Sequence, residues 1–186
     1  MRLPITFSLV GILVISLSAQ VQKASGSIRM PDGKEWTAQN LNVQAPFSYC
    51  YEETEANCGE YGRLYTWDSA QRACQLIGKG WRLPTQEQWR ELAKHYGGVH
   101  DDSGDGKSAF KALLTGGDSR LNALLGGGRA EDGQYARLKA HGFYWTASES
   151  DAAHAWFINF GQGSMTLYLQ RDGEKPRAFS VRCIRQ

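Results

Sequence analysis

The residues of this chain with chemistry to offer are its four cysteines, its four histidines and a set of aromatic and charged side chains on its later strands and loops. Cys50, Cys58, Cys74 and Cys183 present three options: structural disulfides, soft-metal ligands or a reactive thiolate. Four cysteines allow three pairings, and sequence alone does not choose among them. His95 and His100 stand near Asp101 and Asp102, but their spacing matches no zinc motif, and a histidine that ends a helix sits favourably at the negative end of its dipole. His141 and His154 flank expected strands and stand alone. Ser148, Asp151 and His154 supply the residue types of a hydrolytic triad without the elbow that such a nucleophile needs. The run Asp101-Asp102-Ser103-Gly104-Asp105-Gly106 looks like the front of an EF-hand loop, yet Ala112 stands where the closing Glu belongs, so a solvated loop is expected. These residues assign no catalytic group, no metal ligand and no cofactor, and the expectation is a protein that is not an enzyme.

Binding is the chemistry left, because Tyr and Trp hold both sugar faces and protein surfaces well. Trp67, Trp81, Trp89 and Trp145 fall in patterned blocks and read as core. Tyr144, Trp156 and Tyr168 lie on expected strands, where alternate side chains face opposite ways and some reach solvent. Arg129, Glu131, Asp132 and Tyr135 follow a Gly triplet as rim residues of a loop. These seven are the candidate ligand-binding residues.

The elements that must position them begin after a leader. Residues 1–19 carry Arg2, an apolar run over 7–17 and small Ser18 and Ala19, the pattern of a secretory signal peptide. The run falls short of the roughly 20 residues that span a bilayer, and no Cys follows it to take a lipid anchor. Cleavage after Ser18 or after Ala19 both remain open. Residues 20–25 then form a short linker, and 26–186 suffice for one compact domain. The formal net charge is only +2, with basic and acidic residues interspersed, which argues against nucleic acid as a partner. Six Trp, eight Tyr and 21 Gly suggest a loop-rich fold packed on aromatics.

Residues 27–30 and 34–41 read as two short strands around Pro31-Asp32-Gly33, a hairpin able to clasp the two ends of a domain. Residues 49–60 are polar and acidic, as in a surface loop. Trp67, Ala70, Ala73, Cys74 and Ile77 recur at helical spacing, which puts Cys74 on a buried stripe. Thr85 and Gln88 form a capping box for a second helix, with Trp89, Leu92, Ala93 and Tyr96 on its apolar face and Gly97-Gly98 at its end. Residues 99–135 carry no sustained period beyond a short helical turn at 109–114, and a long irregular region of this kind is usually functional. Alternation returns at 143–147, 155–160, 165–170 and 178–184, an antiparallel sheet. Helices first and strands later indicate an α+β domain.

Six separated blocks carry a resemblance: Glu35-Trp36-Thr37-Ala38-Gln39-Asn40-Leu41, Tyr61-Gly62-Arg63-Leu64-Tyr65-Thr66-Trp67, Gly80-Trp81-Arg82-Leu83-Pro84-Thr85, Leu125-Gly126-Gly127-Gly128-Arg129, Tyr144-Trp145-Thr146-Ala147-Ser148-Glu149 and Phe179-Ser180-Val181-Arg182-Cys183. In order and spacing they resemble the Fibrobacter succinogenes major paralogous domain family, which is similar to the C-type lectin-like superfamily. The resemblance implies two helices packed on antiparallel sheets, a hairpin-closed domain with a long loop region, and an address in the periplasm, at the cell surface or beyond. It also implies that Cys74 pairs with Cys183, linking first helix to last strand, which leaves Cys50 with Cys58. The formylglycine-generating enzymes of that superfamily use a close pair of thiolates in their C-terminal part, whereas here only Cys183 lies beyond Cys74. Lectin-type calcium tripeptides are absent, and the corresponding strand reads Trp156-Phe157-Ile158-Asn159-Phe160. The expected function is a secreted, non-catalytic binding module that recognises a polysaccharide or envelope protein through the loops of 99–135 and the neighbouring sheet. Its alternatives are a structural or assembly component of the envelope and, behind that, a thiol oxidase of the formylglycine-generating type.

Overall fold

A computed structural model describes residues 26–101 and 104–186. The expected leader and linker, and Asp102 and Ser103 of the acidic run, lie outside the described residues.

The chain opens as the expected hairpin, β1 (Ser27–Arg29) against β2 (Glu35–Thr37). Gly33 takes the left-handed φ of 79° that the turn needs, and the Asp32 carboxylate accepts from the Lys34 N–H at 3.1 Å and the Trp36 indole at 3.0 Å. One turn residue thus fixes both the reversal and a core side chain. Residues 49–60 are not the open loop their composition suggests. They hold the end of β3 (Ser48–Tyr49), a single 3₁₀ turn (Tyr51–Glu53) and most of α1 (Glu55–Tyr61). Only Cys58 and Tyr61 of α1 are buried, too few apolar positions to show a period, and the helix is held from outside by a disulfide to Cys50.

After β4 (Leu64–Tyr65), helix α2 (Trp67–Leu76) buries Trp67, Ala70, Ala73 and Cys74, as its spacing predicts. Helix α3 (Gln86–Lys94) begins on the full capping box: Thr85 Oγ1 accepts from the Gln88 N–H at 3.3 Å, and Gln88 Oε1 from the Thr85 N–H at 2.9 Å. Residues 99–135 contain more order than their sequence shows. Helix α4 (Lys107–Leu113) buries Ala109, Phe110 and Leu113, and β5 (Gly126–Arg129) is a strand of three glycines and an arginine, with no side-chain alternation to reveal it.

Then come β6 (Tyr135–Leu138), β7 (His141–Glu149), β8 (His154–Gly161) and β9 (Thr166–Glu174), giving a five-stranded sheet in the order β6-β5-β7-β8-β9. All neighbours are antiparallel except β5 and β7. Residues 178–184, expected as a strand, instead cross the interior as a buried arch that bridges Arg129, Tyr65 and Tyr144 one residue at a time. Alternation fails there because Arg182 is fully buried. Its guanidinium donates to Asn40 Oδ1 at 2.9 Å and to the carbonyls of Thr37, Leu121 and Asn122 at 2.7–2.8 Å. Only β10 (Ile184–Arg185) is regular, and it pairs with β2, so the end of the chain closes on the first hairpin.

The fold is α+β with two main cores. Trp36, α3 and α4 pack on Tyr144, Ile158, Phe160 and Leu167 on one face of the large sheet. Helix α2 and the buried arch pack on Trp145 and Phe157 on the other. Cys74–Cys183 crosses the second core and Cys50–Cys58 closes α1 to the strand before it, which is the pairing the resemblance implies. Among the described residues no helix is long and apolar enough to cross a membrane.

Candidate functional site

Paired residues on antiparallel strands share a sheet face, as do residues two apart. By the registers of β7, β8 and β9, the face that carries Trp145 and Phe157 also carries His141, Phe143, Asn159, Tyr168 and Gln170. Trp145 and Phe157 are covered by the second core, Phe143 packs half-buried on its edge against Phe179, and His141, Tyr168 and Gln170 are half-buried beyond it. Half of this face is therefore open. Across it runs a chain of polar side chains: His141 Nδ1 lies 2.9 Å from Asn159 Oδ1, and Asn159 Nδ2 donates to Gln170 Oε1 at 2.8 Å. With Asn159 Oδ1 as acceptor, this bond is donated by His141 Nδ1. Phe143 stacks on His141, centroids 5.2 Å apart and planes 12° apart, while Tyr168 meets the edge of His100 at 5.2 Å. The result is a planar polar ladder with an aromatic side chain at each flank.

Next to Phe143 the β5–β6 hairpin adds charge. Arg129, half-buried, lays its guanidinium 4.1 Å from the Tyr49 ring centroid and 5.7 Å from that of Tyr135, and its Nε is buried without a hydrogen-bond partner among the described residues. Tyr135 packs on Tyr51 at 5.1 Å and donates its hydroxyl to Glu53. Burial, and then that carboxylate, push the Tyr135 phenol up to about 12. Glu131 and Asp132 are exposed in the hairpin turn, where Asp132 Oδ1 accepts from the Gln134 N–H at 3.0 Å. Arg137 lies opposite Gly127 in the β5–β6 register, and both have positive φ, 68° and 64°. For a residue with a side chain that conformation costs of order 1–3 kcal/mol. A side chain at 127 would meet the Ala136 carbonyl at 2.6 Å, so glycine alone permits the approach.

The seven candidate residues thus separate. Tyr168 lies on the open face, and Arg129, Glu131, Asp132 and Tyr135 form the neighbouring hairpin. Trp156 is elsewhere, in a cleft of about 470 Å³ with Glu149, Asp151, His154, Arg171 and Asp172. Tyr144 is a correction: it is fully buried on the inner face, its hydroxyl bonded to Asn40, Leu124 and the core around Arg182, so it belongs to no surface. Burial holds its phenol above the ordinary range.

Other chemistries stand as follows. His154 Nδ1 lies 2.9 Å from Asp151 Oδ1, and that bond is the main cause of a lowered Asp151 pKa. Ser148 Oγ accepts from the Gln86 N–H at 3.1 Å, securing the start of α3, and among the described residues it makes no hydrogen bond to His154. Cys50, Glu55 and Cys58 converge, but both sulfurs are consumed in the disulfide and offer no thiolate. No cysteine is free among the described residues.

Phe143, Asn159 and Gln170 were not singled out by sequence reasoning, and His141, expected to stand alone, is instead bonded to Asn159 and stacked on Phe143 because the strand registers bring them together. The available signal was Asn159, the one polar residue inside the apolar run from Ala155 to Phe160, together with the two-residue step from His141 to Phe143.

Comparison with known families finds that the model described as the Fibrobacter succinogenes major domain matches residues 26–185. No curated protein and no solved structure matches the chain.

Proposed function

We propose, from the premise that this chain belongs to the Fibrobacter succinogenes major domain family, that it is a non-catalytic binding module of C-type lectin-like fold which holds an extracytoplasmic polysaccharide on the open half of its large sheet. The observation that carries this reading is the His141–Asn159–Gln170 ladder flanked by Phe143 and Tyr168. Amides and an imidazole offer donors and acceptors in fixed directions to sugar hydroxyls, and the aromatic faces suit the C–H side of a pyranose. Because the ladder is bonded within itself, its members are oriented before a ligand arrives, which lowers the ordering cost of binding. The lectin-like fold is supported by the closure of β10 on the first hairpin, helices α2 and α3 on opposite faces of a largely antiparallel sheet, and the Cys74–Cys183 link from α2 to the last residues. Two disulfides suit an oxidising compartment, in line with the leader-like residues 1–19.

The test is affinity electrophoresis of the mature, disulfide-bonded protein through a panel of polysaccharides, with Gln170→Ala and His141→Ala beside the wild type. Loss of one neutral hydrogen bond, about 0.5–1.5 kcal/mol, is expected to weaken retention about three- to tenfold in each variant. A wild type retarded by no polysaccharide, or variants retained as strongly as the parent, would refute the proposal.

A further inference from the structure

Phe143 is shared between the ladder and a second concavity. On its far side lies a cleft of about 250 Å³ walled by Arg129, Arg137, Arg177, Gln134 and Phe179, and no acidic side chain lines it. Of the three guanidiniums, only Arg177 is paired with a carboxylate among the described residues, Glu174 at 2.5 Å. Arg129 is engaged by aromatic faces, which attract its charge without neutralising it. The Arg137 guanidinium makes no hydrogen bond or ion pair among the described residues, and it is presented from the left-handed backbone opposite Gly127. Two unneutralised guanidiniums, with a third shared with Glu174, around a small, partly apolar cleft repel one another, and a bound anion relieves that repulsion. The planar fork of arginine matches a carboxylate or a phosphate through two parallel hydrogen bonds, and the carboxylate is the one that a uronic acid ring carries.

We infer that this cleft is a carboxylate subsite, and that the polysaccharide is acidic, a uronic acid polymer whose charged residue sits among Arg129, Arg137 and Arg177 while its neighbour lies across Phe143 onto the ladder. The inference rests on the saccharide reading above and gives it a ligand class. Size agrees with it: sites for drug-sized ligands run to about 300–1,000 Å³, so a smaller cleft suits one ring of a chain that continues onto the surface.

The experiment compares binding of the mature protein to polygalacturonate and to its fully methyl-esterified form, which keeps the backbone and loses the charge. Poly-glutamate serves as a carboxylate polymer without sugar rings. The wild type is expected to bind the free acid at least about tenfold more tightly than the ester, with the difference shrinking as salt rises. Arg137→Gln and Arg177→Gln, both at exposed side chains, are each expected to lose most of that difference while ester binding and thermal midpoint stay put. Gln170→Ala is expected to weaken acid and ester alike. Equal wild-type affinity for acid and ester, with Gln170→Ala still weakening both, would overturn the carboxylate subsite and leave the saccharide reading standing. Binding of poly-glutamate as tight as polygalacturonate would overturn the uronate class. Binding of neither polysaccharide would overturn the uronate inference, and only a wild type that also fails across the whole panel would overturn the saccharide reading.

Discussion

Removing the two disulfides one at a time separates how each holds the domain together. Cys74–Cys183 spans 109 residues and Cys50–Cys58 spans eight. If a bridge acts by restricting the unfolded chain, its contribution grows with the logarithm of the loop it closes, which gives about 4.8 kcal/mol for the long loop and about 2.6 kcal/mol for the short one. All four cysteines are buried, so replacing each pair by alanine removes similar side-chain atoms from similar surroundings. The difference between the two double variants, about 2 kcal/mol, then reports mainly on loop closure. For a domain of this size each kcal/mol moves the thermal midpoint by about 2–4 °C, so Cys74→Ala/Cys183→Ala should melt about 10–20 °C below the parent and Cys50→Ala/Cys58→Ala about 5–10 °C below. Calorimetry without reductant reads both shifts. Equal shifts, or a larger one for the short loop, would refute the entropic account and place the stabilisation in native contacts around α1.

Two further outcomes test the interior and the hairpin. Arg182→Met leaves the carbonyls of Thr37, Leu121 and Asn122 without donors, a loss partly offset by no longer burying a charge, and should destabilise the fold by about 3 kcal/mol in urea titration. An unchanged midpoint would mean that these carbonyls find other partners. Tyr135 ionises near 12 when folded, above its ordinary value of about 10, so its stabilising share is intact below pH 10 and fades as pH rises toward 12. Thermal midpoints of Tyr135→Phe should therefore fall less steeply across that window than those of the parent, and parallel curves would show that the phenol does not take part.

Where local chemistry dictates structure, the sequence was readable. Thr85 and Gln88 start α3 by a two-way hydrogen bond that needs nothing distant, and Pro31-Asp32-Gly33 reverses the chain on its own. Where structure depends on remote partners, the letters were mute. Helix α1 is tied to Cys50 rather than marked by a stripe, and β5 is glycine because other atoms crowd it, as the Ala136 carbonyl does at Gly127. Residues 178–184 read as a strand, yet Arg182 is drawn inside by four acceptors scattered from Thr37 to Asn122. The binding face was half visible for the same reason. Tyr168 could be placed on a strand, but the ladder exists only once the registers bring His141, Asn159 and Gln170 side by side, and Tyr144 could be assigned to its inner face only from that register.

The long bridge also decides how the domain would behave under tension. Cys183 lies three residues from the C-terminal Gln186, and its bond to Cys74 makes a covalent shortcut across the fold. A pull applied between residue 26 and the C-terminus is carried by the backbone up to Cys74 and then passes through the sulfurs. The 109-residue loop between them, with all five strands of the large sheet and the His141–Asn159–Gln170 ladder, is never in the line of force. A pull between the two ends could peel β1, β2 and α1 away and still leave the large sheet spared from direct extension.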